Sequence, residues 1–335
     1  MGNVRRRPWK LLLVPLFLCA QLVATAHLVR CLRPGVVHAH WIIAQGLVFA
    51  LLGLLTGGRT PFVLTSHGGD LFSLRGRVFR TLKRFVLKRA TVTTVVSRAG
   101  AVTAEGLGVD RGRIVVEPMG VDLARRFVPD EDGTRSSQEL LFVGRLVEKK
   151  GVPRLLQAMP SVAARHPDVM LTVVGYGPDR QMLEALAAKL GIEARVRFEG
   201  AVEQSRLPEY YRRAALFVAP FVEARDGDQE GLGLVTVEAL GCGCPVVVTA
   251  LPAVLDVLDP DQDDAFIAAT AEPAVLADKI CAILDEPARS SAHALECRKR
   301  LLTRFDWSVV AGRYAALLQE ARADDTQRPS SDERD

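Results

Sequence analysis

Two carboxylates, Glu230 and Glu238, stand eight residues apart around a Gly231-Leu232-Gly233 turn. The second lies in an apolar stretch that runs on through Cys242-Gly243-Cys244 to Pro245. That spacing is a little over two helical turns, so both acids can face one side of a helix and the loop that opens it. A small-residue turn at a helix start aims free N–H groups and the positive end of the helix dipole at one spot. Such a spot suits a diphosphate, and flanking carboxylates suit hydroxyl-rich groups such as a sugar and a ribose. Farther back, Gly144-Arg145 and Lys150-Gly151 follow the apolar run Glu139–Val143. An Arg and a Lys five apart in a loop can converge on a diphosphate, the first as a planar fork and the second as a point charge. A solvated basic turn is the competing reading of the same residues.

The elements that must position these groups alternate in type. In the first part, strands are expected at 36–41, 61–66, 91–97 and 114–117, with helices over 42–55 and 77–89. The polar stretch 123–138, with Pro129, Asp130, Glu131, Asp132 and Gly133, reads as a linker. Beyond it, strands are expected at 139–143, 169–174, 196–198, 216–219 and 246–248, and helices at 152–164, 179–190, 206–213, 273–284 and 307–321. Strands alternating with helices argue an α/β fold with parallel sheets covered on both faces. The domain reading is 1–122, a shortened first domain; 123–138, the linker; 139–305, a second domain; 306–322, a helix returning toward the first domain; and 323–335, a disordered tail.

At 335 residues, 49% hydrophobic and 24% charged, the chain is globular and long enough for two domains. The net charge of +4 hides an asymmetry. Residues 1–130 hold 19 Lys and Arg against 6 Asp and Glu, a net +13, while the remainder is −9. A basic first part suits an anionic membrane surface or a phosphorylated partner. Nucleic acid is the weaker alternative, because no nucleic-acid motif accompanies the charge. Six cysteines show neither a disulfide framework nor zinc spacing, which fits a reduced cytosolic setting. Arg5, Arg6, Arg7 and Lys10 precede an apolar run from Leu11 to about Val29. A cleaved signal peptide and a membrane span are open readings of that run. The favoured one is a helix that belongs to the fold or lies against the membrane.

Several segments in order resemble the family 4 retaining glycosyltransferases. In the second part they are Phe142–Gly151, Val173–Pro178, Val196–Gly200 and Glu230 with Glu238 and the Gly-Cys-Gly-Cys-Pro tail. In the first part they are His38–Trp41, Thr65–Asp70, Ser97 and Pro118–Asp122. The resemblance spans roughly residues 34–320 and implies the GT-B fold: two Rossmann-like domains with parallel sheets facing across a cleft. It implies a nucleotide-sugar donor, UDP-, GDP- or ADP-linked, held mainly by the second domain. Arg145 and Lys150, with Gly144, would bind the diphosphate and offset charge on the leaving nucleotide. Glu230 would bond the sugar hydroxyls, with N–H groups near Gly231, Gly233 and Leu234 on sugar and phosphate. Glu238 would accept from the ribose, and the base would lie near Gly175, Arg197 and Phe198. His67 would stabilise positive charge on the sugar from the first domain. Catalysis with retention then needs no metal and no other cofactor. A covalent role for Glu230 would need a second carboxyl about 5 Å away.

His38 and His40 alternate on a strand and so share a face; strand-end packing or an acceptor contact is favoured over metal ligation. Asp70 reads equally as an acceptor contact or a turn cap. Cys242 and Cys244 read as small-residue packing. The basic helix with Arg77, Arg80, Lys83, Arg84, Lys88 and Arg89 reads as a solvated face, with membrane contact as the alternative. Asp226 and Asp228 read as part of a mobile lip. The family's first strand and glycine-rich loop have no counterpart before Val36, so the chain is expected to start roughly 70–90 residues late. Poor solubility or weak activity is the corresponding expectation. The leading function is hexose transfer to a glycan or lipid-linked acceptor at the cytosolic membrane face, in cell-surface polysaccharide or glycolipid synthesis. The alternatives are a nucleotide-binding remnant without transfer activity and another GT-B enzyme, such as a nucleotide-sugar epimerase.

Overall fold

The computed structural model describes residues 12–57, 60–130 and 135–326. The basic cluster at Arg5–Arg7 and Lys10, linker residues 131–134 and the tail beyond residue 326 lie outside the described residues. The chain divides into two compact units, one of residues up to Glu117 together with Ala311 onward, the other of Pro118–Val310.

In the first unit, β1 (Val37–His40), β2 (Phe62–Ser66), β3 (Val92–Val95) and β4 (Ile114–Val116) form a sheet in that order, every pair parallel. All five residues of β2 are buried, as expected of a parallel strand covered on both faces. Its core gathers Ile42, Phe49, Leu52, Leu64, Val86, Leu87 and Val95. The helices are α1 (Leu13–Leu32), α2 (Leu47–Thr56), α3 (Gly69–Phe72), α4 (Arg77–Arg89) and α5 (Arg98–Gly106). Along α1, Leu22, Ala26 and Val29 pack against the core while Leu16, Phe17 and Val23 are exposed. By length and composition alone, α1 could cross a membrane.

Two expectations change here. The helix expected over 42–55 opens with a π-helical turn, Trp41–Gly46, before α2. Within it, Ile42 N–H donates to Asp70 Oδ2 at 2.7 Å, so a side chain from α3 anchors that turn. Lys83 is not part of a solvated face: it is buried, and its ammonium donates to the carbonyls of Leu71, at 2.8 Å, and of Ser73. It shares the inward stripe of α4 with Val86 and Leu87, three and four residues on.

The second unit holds β5 (Glu139–Val143), β6 (Met170–Val174), β7 (Val196–Gly200), β8 (Leu216–Ala219), β9 (Val246–Thr249) and β10 (Ile267–Ala268). Their order is β10-β9-β8-β5-β6-β7, all parallel. Its helices are α6 (Val152–Arg165), α7 (Arg180–Lys189), α8 (Leu207–Arg213), α9 (Leu234–Gly241), α10 (Pro273–Asp285) and α11 (Pro287–Phe305). After β5 the chain builds outward through β6 and β7, then returns to lay β8 on the other side of β5. That reversal leaves a crevice beyond the carboxyl ends of β5 and β8, the usual ligand position in open α/β sheets.

Helix α11 has no counterpart in the sequence reading. Its buried face is Ser290, Ala294, Cys297, Leu301 and Phe305. The spacing is helical, but three of the five side chains are small or weakly polar, so the apolar period is faint. The polar stretch 123–138 conceals two anchors, because Leu123 and Phe127 are buried. The N–H groups of Leu123 and Ala124 donate to Asp306 Oδ2, each at 3.1 Å. The last helix, α12 (Trp307–Thr326), extends into the segment expected to be a disordered tail.

Candidate active site

Three adjacent strands of the second unit end in glycines, Gly144 after β5, Gly175 after β6 and Gly200 at the end of β7. Their backbones are laced together. Gly144 N–H donates to Val174 O at 3.0 Å, Gly175 N–H to Gly200 O at 2.7 Å, and Leu146 N–H to Tyr176 O at 2.9 Å. Gly175 has φ +138, and a Cβ there would stand 1.8 Å from the Gly144 carbonyl oxygen, so a side chain is excluded.

The turn after β5 meets the loop after β8. Val222 N–H donates to Lys149 O at 3.0 Å, and Lys149 Nζ reaches both Asp228 Oδ1, at 3.1 Å, and Gln229 O, at 3.2 Å. Asp228, expected in a mobile lip, is thus pinned by an ion pair. Lys150 Nζ donates to Glu230 Oε2 at 2.7 Å and lies 4.7 Å from the centre of the Phe221 ring. The Lys150 and Glu230 side chains are only 13% and 15% exposed. Burial pushes the Glu230 carboxyl up, but Lys150, then Lys149 and the Gly233 N–H, hold it below the usual carboxylate range.

Gly233 adopts φ +82 and caps α9. Glu238, one turn into that helix, is buried, and Tyr211 donates its hydroxyl to Glu238 Oε2 at 2.9 Å. Burial pushes Glu238 up to about 7, against the opposing pull of Tyr211 and Lys150. The two glutamates therefore differ in charge state near neutrality: Glu230 is a paired anion, and Glu238 is poised between acid and anion. Arg145 is exposed, and its guanidinium makes no ion pair with another described residue.

Arg197 does not join this group. It stands on β7 opposite Thr172, and its guanidinium pairs with Glu199. With Glu139, Thr172 and Arg213 it lines a separate cavity of about 360 Å³ near the amino ends of the strands. Side chains alternate along a strand, so Arg197 points away from the face that Phe198 takes. Cys242 and Cys244 are buried and free, and burial pushes their thiols up to about 12 and about 11. Tyr211 and Lys149 were not singled out in the sequence. An aromatic on a short amphipathic helix reads as core, and of two adjacent lysines only one fits the basic-turn spacing.

The first unit gathers imidazoles. His40 Nδ1 lies 3.0 Å from His67 Nε2, with the rings stacked at 5.2 Å. His38 packs 4.2 Å from His40 and 5.2 Å from Tyr314, and its Nε2 is 2.7 Å from Thr65 Oγ1. Burial pushes His38 down to about 4, reinforced by His40 and His67, and burial lowers His40 and His67 as well. The cluster is neutral at pH 7. Asp70 is engaged within the fold. It is buried, and besides Ile42 N–H it takes Ser66 Oγ at 2.8 Å and His67 N–H at 3.2 Å. Its role in this structure is to clamp the loops that carry Trp41 and His67, which realises the turn-capping alternative.

Among the described residues, Asp263, His293 and Cys297 are the one group spaced to hold a metal ion. Arg300 already donates to Asp263 Oδ1, and Cys297 is pushed up to about 12, so the donor set is an internal ion pair with a protonated thiol.

Residues 129–300 match the family described as glycosyl transferases group 1, and residues 2–125 match the family described as glycosyltransferase family 4. The chain is 31% identical to a GDP-mannose-dependent alpha-(1-6)-phosphatidylinositol monomannoside mannosyltransferase of Mycolicibacterium smegmatis, over 82% of this chain and 74% of that one. It is 29% identical to a glycogen synthase of Mycobacterium tuberculosis, over 89% and 72%. The Anabaena protein HepE, solved with UDP, superposes with a TM-score of 0.75 at 19% identity, over 89% of this chain and 82% of that one. The fold is GT-B, and the chain belongs to the group 1, family 4 glycosyltransferases.

Proposed function

We propose that this glycosyltransferase moves a hexose from a UDP-, GDP- or ADP-linked donor to a glycan or lipid-linked acceptor with retention of anomeric configuration. The observation that carries the proposal is the half-buried Lys150–Glu230 pair at the carboxyl ends of β5 and β8, with Glu238 on the helix that follows. Breaking the bond from the anomeric carbon to phosphate leaves negative charge on the diphosphate and positive charge on the ring. Fixed cations at the leaving group are then the strongest lever on the barrier. An ammonium has three N–H donors, so Lys150 can keep Glu230 and still donate to a phosphate oxygen. Exposed Arg145 supplies the second cation, Glu230 orients the sugar hydroxyls, and Glu238 accepts from the ribose.

Gly144, Gly175, Gly231, Gly233, Leu234 and Phe198 complete the donor surface in this reading. His67 supplies a neutral imidazole toward a sugar hydroxyl. The acceptor hydroxyl attacks on the face from which the phosphate departs, and its proton passes to the leaving phosphate oxygen. No metal or other cofactor enters this route. The mannosyltransferase and glycogen synthase relatives support the hexose class and the choice between lipid-linked and glycan acceptors.

The proposed location is cytoplasmic, at the inner face of the cell membrane, in cell-surface polysaccharide or glycolipid synthesis. The +13 charge of residues 1–130 and the exposed apolar residues of α1 support it. The test is turnover of a panel of UDP-, GDP- and ADP-hexoses with lipid-linked and glycan acceptors, reading the anomeric configuration of the product by NMR. Transfer from one donor with retention is expected; inversion, or no transfer from any donor, contradicts the proposal.

A further inference from the structure

We propose that Tyr211 is a positioning residue for nucleotide recognition, fixing one oxygen of Glu238 so that the other is presented to the vicinal hydroxyls of a ribose. The inference rests on the reading of Glu238 as the ribose acceptor. Tyr211 sits on α8, is fully buried, and donates to Glu238 Oε2 at 2.9 Å. No other side chain among the described residues hydrogen-bonds to that carboxylate. Glu238 Oε1 takes no side-chain hydrogen bond among the described residues. One oxygen is thus held and the other is left for a ligand.

The donor is itself rigid. The Tyr211 ring packs edge-on at 5.6 Å from Phe217 and 6.2 Å from Phe127. Its carbonyl accepts from Arg135 Nη1 at 2.9 Å, and the same guanidinium bonds Ala214 O and Cys242 O. Those contacts tie the end of α8 to the end of α9. Burial keeps the phenol protonated far above neutral pH, so it always donates. A neutral donor orients a carboxylate without cancelling its charge, which Lys150 would do if it moved from Glu230. An oriented acceptor loses less freedom when it binds a diol, and preorganisation of this kind raises affinity and specificity.

Tyr211→Phe keeps the packed ring and removes only the donor. The probes are UDP, GDP and ADP with their 2′-deoxy and 3′-deoxy counterparts, titrated by calorimetry against the full chain. Wild type should prefer the bound ribonucleotide over its deoxy forms by about tenfold. In Tyr211→Phe that preference should collapse to about twofold or less, with deoxy affinities unchanged. Glu238→Ala should abolish the preference outright, and adding Tyr211→Phe to it should change nothing further. Loss of discrimination in Glu238→Ala but not in Tyr211→Phe overturns the positioning role and leaves the ribose reading intact. Full discrimination in Glu238→Ala, or no nucleotide binding by wild type, overturns both. A uniform loss of affinity for ribo and deoxy forms in Tyr211→Phe also overturns the proposal, since it marks a merely structural residue.

Discussion

The two units hold their polar clusters together by opposite means. In the second unit, half-buried charges compensate one another: Lys150 pairs with Glu230, and Lys149 with Asp228. In the first, His38, His40 and His67 are kept neutral by burial and joined by stacking and hydrogen bonds to each other and to Thr65. The two clusters therefore suit different partners. A site of cations beside an anion can redistribute its bonds toward a diphosphate. A neutral imidazole cluster can meet a hydroxyl without competing for the phosphate charge.

The largest effect should come from breaking the charged cluster. Lys150→Ala removes the ammonium bonded to the half-buried Glu230 and leaves Lys149 as its remaining cation, a loss of about 1–3 kcal/mol of stability. Turnover should fall by about two to three orders of magnitude, as when a charge-stabilising donor is removed. Steady-state kinetics and thermal melts of this variant are the check; wild-type kcat would remove the pair from the mechanism. Next in size is Asp70→Ala, which strips acceptors from Ile42 N–H, His67 N–H and Ser66 Oγ. A loss of about 1–3 kcal/mol is expected, because buried donors are left unsatisfied. Nucleotide affinity should be untouched, and a large drop in UDP or GDP binding would blur the division between the units.

The pH responses should also run in opposite directions. His38 titrates near 6.5 when unfolded and at about 4 when folded, so between those values the unfolded chain binds the extra proton. Stability from the first cluster is therefore lost as pH falls from 6.5 toward 4. Glu238 titrates near 4.5 when unfolded and at about 7 when folded, so there the folded chain holds the proton. Its contribution is lost as pH rises through that window, while ribose binding, which favours the anion, should weaken as pH falls below about 7. Thermal melts and nucleotide titrations from pH 4 to 8 separate the two, and matching pH trends would contradict the comparison. The smallest effect belongs to Arg197→Ala, whose guanidinium is engaged with Glu199 away from the glycine turns. Nucleotide affinity should change by less than about twofold; a tenfold loss would return Arg197 to the donor surface.

Much of this layout was legible from residue order. Continuous apolar runs such as Leu140–Val143 and Val246–Val248 mark strands buried on both faces, and their alternation with helical periods marks parallel sheets. Glu230 and Lys150 stand out in the sequence as charges beside glycines at turn spacing, and the fold brings the two together. Other features were not legible for physical reasons. The Lys150–Glu230 contact joins residues eighty positions apart, and only the strand order brings β5 beside β8. Lys83 carries a charge, so pattern reading sets it outside, yet two carbonyls repay its desolvation. Tyr211 looks like core packing and is core packing; only its hydroxyl reveals the second role.

The most direct test of the central claim, that the second unit's charged cluster is the donor diphosphate site, is calorimetric titration of UDP, GDP and ADP into wild type and Lys150→Ala. At least one nucleotide should bind wild type, and its affinity should fall by about tenfold or more in the variant. Equal affinity in the two proteins, with the variant folded, would contradict that claim.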